Sequence, residues 1–327
     1  MFTLEMGKYR STYGPLPSSY NFFYDDVSLT GFRGIIKMND VEINPFIEWM
    51  EEAQLDGEVV DKTEDNDAMR FGVHAKAKLN KDWTIGGMLG YQSDSREEIV
   101  DVFEANEGFF GSIYANGKAG ALAIVGELAV TDNGLNNFNS WEDDDVPTWS
   151  AITNSYVGGD YIGSEDTGFG GYIFPNYQID KLNIGLNLGF TSNGFQPDRA
   201  FGFVMIGATD NSKISAARIG DTGDWMWAGL VASYQISEAL KLTGNIVYAD
   251  VDPWDTEGIA GDGPATSSGA LGAYLDSAWE LSAVLQYTIS KGADVYFSAG
   301  YLSPEFEDDT LEEDGAFGAL TRFELKF

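Results

Sequence analysis

The sequence predicts an all-β fold: a transmembrane, antiparallel, up-and-down β-barrel of about 14 strands, forming a single domain over residues 1–327. Three observations lead there. Many short segments alternate apolar and polar residues with the period of two that an extended strand imposes. The connections between these segments alternate strictly between long and short. In the strands with the cleanest alternation, charged side chains keep to one face, apart from strand ends.

Taken in order, the strands are expected at 1–9, 27–38, 41–51, 67–79, 83–93, 108–116, 119–131, 167–178, 182–192, 224–236, 240–249, 276–289, 294–303 and 315–327. Asn39-Asp40, Asn80-Lys81-Asp82, Gly117-Lys118, Ile179-Asp180-Lys181, Ser237-Glu238-Ala239 and Ser290-Lys291-Gly292-Ala293 are polar hairpin turns. Between these hairpins lie long segments rich in acid, of which 132–166 carries Glu142, Asp143, Asp144 and Asp145 and no Lys or Arg. If every short turn lies at one rim, every long loop lies at the other. That layout belongs to a transmembrane barrel. Residues 200–219 could add a further hairpin, giving roughly 16 strands, but read as an extracellular loop.

The faces agree. Met69, Phe71, Val73, Ala75, Ala77 and Leu79 oppose Arg70, Gly72, His74, Lys76 and Lys78. On 276–289, Trp279, Leu281, Ala283, Leu285, Tyr287 and Ile289 oppose Glu280, Ser282, Gln286 and Thr288, with Val284 the one apolar exception. A Lys or Arg at the bilayer midplane costs about 2–4 kcal/mol, so the charged face belongs in the lumen. Trp49, Trp83, Tyr91, Tyr177, Tyr248 and Tyr301, near strand ends, suit interfacial girdles.

Composition narrows the function. Lys+Arg 19 against Asp+Glu 52 gives a formal charge of −33, which repels nucleic-acid phosphates and excludes that class of partner. Aromatic residues make up 14% of the chain, far from the composition of a disordered acidic segment. Cysteine is absent, so there is neither a disulfide framework nor a thiolate metal site. No apolar run is long enough for a transmembrane helix. Met1 leads straight into the strand-like FTLEMGKYR, so an export signal is expected to have preceded this numbering.

The last strand, GAFGALTRFELKF from Gly315 to Phe327, ends on an aromatic residue and resembles the closing strand of a Gram-negative outer-membrane barrel. With its period-2 strands, short hairpins, acidic outer loops and terminal Phe327, the chain as a whole resembles the general porins of those membranes. The resemblance implies a water-filled channel, usually a homotrimer, set among outer-membrane lipid and lipopolysaccharide and passing small hydrophilic solutes by diffusion. It also implies a basic wall facing acids on an inward-folded loop. The basic residues on the expected lumen face are Arg33, Lys37, Arg70, Lys76, Lys78, Arg322 and Lys326, brought near one another if the last strand pairs with the first. Wall acids include Glu42 and Glu48. By resemblance the constricting loop is 94–107, with Glu97, Glu98, Asp101 and Glu104, and the longer 132–166 is its competitor.

The acidic loops favour cations at the mouth, whereas the basic wall argues the other way. A substrate-specific channel is the alternative, with Phe46, Tyr172, Phe174 and Tyr296 placed to stack on a sugar; a closed structural or adhesive barrel is another. No cofactor is expected. DVDPWDTEG has Trp254 where a calcium loop needs an oxygen ligand, which leaves weak Ca²⁺ or Mg²⁺ association at the acidic loops. His74, the single histidine, sits among Arg70, Lys76 and Lys78, a poor setting for catalysis, and the sequence has no GxSxG, P-loop or GxGxxG motif.

Overall fold

The computed structural model describes residues 1–11, 13–15, 21–23, 27–52, 67–94, 108–132, 148–150, 155–157, 167–193, 195–197, 201–207, 214, 216–220, 223–253, 275–306 and 314–325. Its strands are β1 (Phe2–Ser11), β2 (Val27–Met38), β3 (Val41–Glu52), β4 (Asp67–Lys78), β5 (Trp83–Asp94), β6 (Gly108–Ala119), β7 (Leu122–Thr131), β8 (Thr148–Ser150) and β9 (Ser155–Val157). They continue as β10 (Gly168–Ile179), β11 (Leu182–Ser192), β12 (Gly223–Ser237), β13 (Leu240–Pro253), β14 (Leu275–Ser290), β15 (Ala293–Phe306) and β16 (Ala316–Leu325). All but β8 and β9 form one 14-stranded sheet in chain order, with β7 joined directly to β10. β8 and β9 form a separate hairpin within the loop between those two strands.

The turn chemistry explains the register. Asn39 and Asp180 take the left-handed conformation at φ 51° and 50°, which short polar side chains tolerate, and each closes a two-residue hairpin. The six short connections therefore lie at one rim, which also receives the start of β1 and the end of β16. The β12–β13 ladder runs from Gly223↔Pro253 down to Ser237↔Leu240 and β14–β15 is similarly long, so this side of the sheet stands tallest.

Through the middle of the sheet many outward side chains are large, apolar and exposed: Phe71 and Val73 on β4, Leu186 and Leu188 on β11, Leu281 on β14, Phe323 on β16. Aromatic pairs gather near the ends of this belt, with Tyr91 4.9 Å from Phe109 and Tyr248 4.8 Å from Trp279 between ring centroids. Such a surface is stable in lipid and not in water.

Among the described residues β1 pairs only with β2, and β16 only with β15. The expected β1–β16 pairing is thus not formed there, and Lys326 and Phe327 lie outside the described residues. Unpaired edge N–H and C=O groups cost several kcal/mol each in hydrocarbon, so closure along this seam is what a bilayer selects. The sheet curls far enough to enclose a core, because opposite walls touch the same inward segments.

Candidate functional site

The site is the interior of the sheet, and its two halves differ. At the long-loop end, described residues of the β1–β2 and β11–β12 connections lie inside the sheet. Phe22 from the first, and Phe195, Phe201, Phe203, Met205 and Ile206 from the second, are no more than 2% exposed. The Phe22 ring lies 4.7 Å from Phe201 and 5.2 Å from both Phe195 and Tyr172, and Phe201 lies 5.7 Å from Trp227 of β12. The wall behind them is apolar as well: Trp225 and Trp227 on β12, Val247, Ala249 and Val251 on β13, and Leu302 on β15 are all buried. Of residues 200–219, expected as an extracellular loop or an added hairpin, the described ones, 201–207, 214 and 216–219, instead pack inside the sheet, with 201 and 203–206 buried. Among the described residues they contribute only the isolated bridges Gly202↔Gly207 and Ile206↔Ala217.

Glutamates on the wall hold these segments. Glu127 on β7 accepts the Phe22 N–H at 2.9 Å. Glu48 on β3 accepts the hydroxyls of Tyr9 and Tyr13 at 3.0 and 3.4 Å. Glu280 on β14 accepts the N–H groups of Val204, Met205 and Ile206 at 3.0, 2.9 and 2.7 Å. These carboxylates are 2%, 0% and 1% exposed, respectively, and a carboxylate is buried only where donors meet it.

At the short-turn end the lumen opens into a cavity of about 1490 Å³. Thr84, Asn116, Asn176, Ser233, Thr243 and Gln286 line its wall, Gly202, Phe203 and Val204 close its far end, and Lys78, Lys81, Lys118, Lys181 and Lys241 stand with Asp82 and Asp180 along its rim. Lys81 lies 3.9 Å from Asp82; among the described residues no carboxylate comes within ion-pair distance of the other four lysines. Five lysines against two aspartates make this vestibule positive, although the chain as a whole carries −33.

The residues expected to form a basic wall are, where described, mostly paired. Arg33 bonds Glu5 through Nη2 at 2.5 Å and lies 4.6 Å above the Tyr9 ring. Lys37 and Lys76 share Glu42, at 3.4 and 2.9 Å. Arg70 donates to Gln92 at 2.6 Å, and Arg322 lies 3.7 Å from Glu324. Among the described members of the group, Lys78 alone opens into the cavity. Glu97, Glu98, Asp101 and Glu104, like most of 132–166, lie outside the described residues. The inward segments that are described belong to two other loops.

Phe46, Tyr172, Phe174 and Tyr296 do point inward, but Tyr13 stacks on Phe46 at 4.9 Å, and Phe22 and Phe201 crowd Tyr172. Only Phe174 and Tyr296 face the cavity. His74 places Nε2 2.8 Å from the Tyr114 hydroxyl and Nδ1 3.3 Å from Asn44 Nδ2, so its ring is engaged by neutral wall groups.

Two signals in the sequence mark the inward segments. The inward positions of the first half of β12, Trp225 and Trp227, and of the second half of β13, Val247, Ala249 and Val251, are apolar, which a hydrated lumen would not favour. Glycines also stand on the lumen face where loop side chains press: a Cβ at Gly170 would lie 2.5 Å from the Phe195 ring, and one at Gly229 2.3 Å from Phe203.

No family model matches the chain, and no curated protein does. Solved structures do match. OccAB1 of Acinetobacter baumannii is similar with a TM-score of 0.52 at 13% identity, over 99% of this chain and 73% of that one. OccK11 (OpdR) of Pseudomonas aeruginosa is similar with a TM-score of 0.50 at 12% identity, over 99% of this chain and 76% of that one. The outer membrane protein OprD of Pseudomonas aeruginosa matches with a TM-score of 0.47 at 11% identity, over 99% and 74%. At such identities the likeness is one of fold. The chain adopts the fold of bacterial outer-membrane β-barrels.

Proposed function

We propose that this chain is a selective channel of the bacterial outer membrane, passing small hydrophilic solutes through a single barrel. The observation that carries the reading is the lumen itself: a wide polar vestibule ending at an anchored, apolar constriction. A general diffusion pore keeps a polar, hydrated passage along its whole length, whereas a seated constriction admits only solutes of matching size and shape. The narrowed lumen therefore favours selective passage over the general diffusion implied by the porin resemblance, and no catalytic step is assigned to it. The cation preference expected from the acidic loops is not retained at the inner end, where the lysine-rich rim attracts anions. Assembly as a homotrimer, and acidic loops bridged to lipopolysaccharide by Ca²⁺ or Mg²⁺, belong to the same proposal and rest on the porin resemblance and the charge pattern.

The test is current through single molecules in a planar bilayer under unequal KCl. Stepwise ohmic openings that one class of small solute blocks saturably are expected. Openings that no solute blocks would return the reading to general diffusion. A silent bilayer with insertion confirmed would leave a closed barrel whose loops do the work.

A further inference from the structure

Resting on the channel reading, we infer that Glu280 is the positioning residue that sets the cross-section of the pore, by holding residues 203–206 inside the lumen. Oε1 accepts the Val204 N–H at 3.0 Å and the Ser282 hydroxyl at 2.5 Å, while Oε2 accepts Met205 at 2.9 Å and Ile206 at 2.7 Å. Three successive N–H groups converging on one carboxylate form an anion-binding nest, and charge-assisted hydrogen bonds are the strong ones. Ser282 is held in turn by Asn245 Nδ2 at 2.9 Å, which fixes the orientation of the carboxylate.

The segment is also braced by its own backbone bonds. Phe203 N–H bonds the Ile206 carbonyl at 2.7 Å, and Gly207 N–H bonds the Ala217 carbonyl at 2.6 Å, with Gly202 and Gly207 at φ 121° and 80°. Its side chains enter sites on the wall that only glycine leaves open. A Cβ at Gly300 would lie 2.6 Å from Met205 Cγ, and a Cβ at Gly318 2.1 Å from Ile214 Cγ2. The glycines provide the space, and Glu280 supplies the polar attachment that satisfies the buried backbone. Because this segment also closes the far end of the vestibule, its position determines what can pass.

The chain contains no cysteine, so Met205→Cys with Gly300→Cys creates one defined pair, and the short Gly300–Met205 approach suits a disulfide. Glu280→Ala is expected to raise single-channel conductance several-fold and to speed maleimide labelling of a lone Met205→Cys. Glu280→Gln, which keeps one acceptor oxygen, is expected to fall between it and the wild type. With all three substitutions Glu280→Ala, Met205→Cys and Gly300→Cys, oxidation is expected to restore the smaller conductance and dithiothreitol to release it. A general loosening of the barrel would not respond to this tether.

Unchanged conductance and labelling in Glu280→Ala would overturn the assignment, as would a raised conductance that the oxidised tether does not reverse. If every variant is silent although heat-modifiable mobility shows folded barrels, the channel reading falls. The Met205→Cys labelling rate then decides by itself whether Glu280 holds the segment.

Discussion

The two halves of the lumen are built on the same strands and behave oppositely. Near the short turns, inward positions of β12 and β13 carry Ser233, Gln235, Lys241 and Thr243, which line open space. Near the long loops, the same faces of the same strands carry Trp225, Trp227, Val247 and Ala249, buried under loop residues. A β-strand dictates only which face a residue takes; what that face meets is decided by the chain that returns over it. The apolar half is therefore a protein core enclosed by the sheet, and the polar half surrounds an open cavity. Energetically they should respond to mutation in different ways.

The largest effect is expected from truncation in the plugged half. Phe22→Ala or Phe201→Ala removes a fully buried ring from the aromatic cluster and should cost about 3–5 kcal/mol, read from the denaturant midpoint of the refolded barrel. A loss no larger than that of a surface substitution would mean the two inward segments do not pack as described. Next comes Glu127→Ala, which strips the Phe22 N–H of its acceptor in a buried site and should cost about 1–3 kcal/mol in the same assay.

Filling a wall site should act on the segment rather than on the barrel. Gly229→Leu would drive a side chain into the space that Phe203 occupies, so faster labelling of a nearby engineered cysteine is expected with the sheet still folded. Labelling at the wild-type rate would mean Phe203 repacks without moving the segment.

The smallest effect on stability belongs to the vestibule. Replacing Lys118, Lys181 and Lys241 together by Gln should change the denaturant midpoint by no more than about 0.5 kcal/mol per site, because these side chains form no ion pairs among the described residues. Their electrostatic effect should be plain all the same. The reversal potential under a KCl gradient should move towards potassium, and the change should shrink as ionic strength rises and screening shortens the range of the field. An unmoved reversal potential would show that ions do not sense the lysine rim.

Much of this architecture could be read before the structure, and the reasons are local. Alternation along β4 and β14 separated the exposed apolar face from the inward one, because a bilayer penalises exceptions. Turns such as Asn39-Asp40 were legible because few residue types accept a left-handed conformation. The pairing of the basic residues was not legible: that Glu42 would serve both Lys37 and Lys76 depends on cross-strand register, which alternation alone does not supply. The inward path of residues 201–207 was missed because its apolar run, AFGFVMIGA, fits a hairpin as readily as a packed turn. Its evidence lies far away in sequence, in a buried glutamate at position 280 and glycines at 229, 300 and 318. Only the folded sheet brings those positions to one place.

The most direct measurement of the difference between the two halves is neutral-polymer exclusion from single channels, with orientation fixed by one-sided block of a Lys118→Cys variant with a thiol reagent. Polymers of intermediate size added at the short-turn side are expected to enter the vestibule and lower the conductance. The same polymers added at the long-loop side should leave it unchanged, because the segment anchored by Glu280 excludes them. Equal reduction of current from both sides would contradict a constriction in the outer half of the lumen, and with it the central claim.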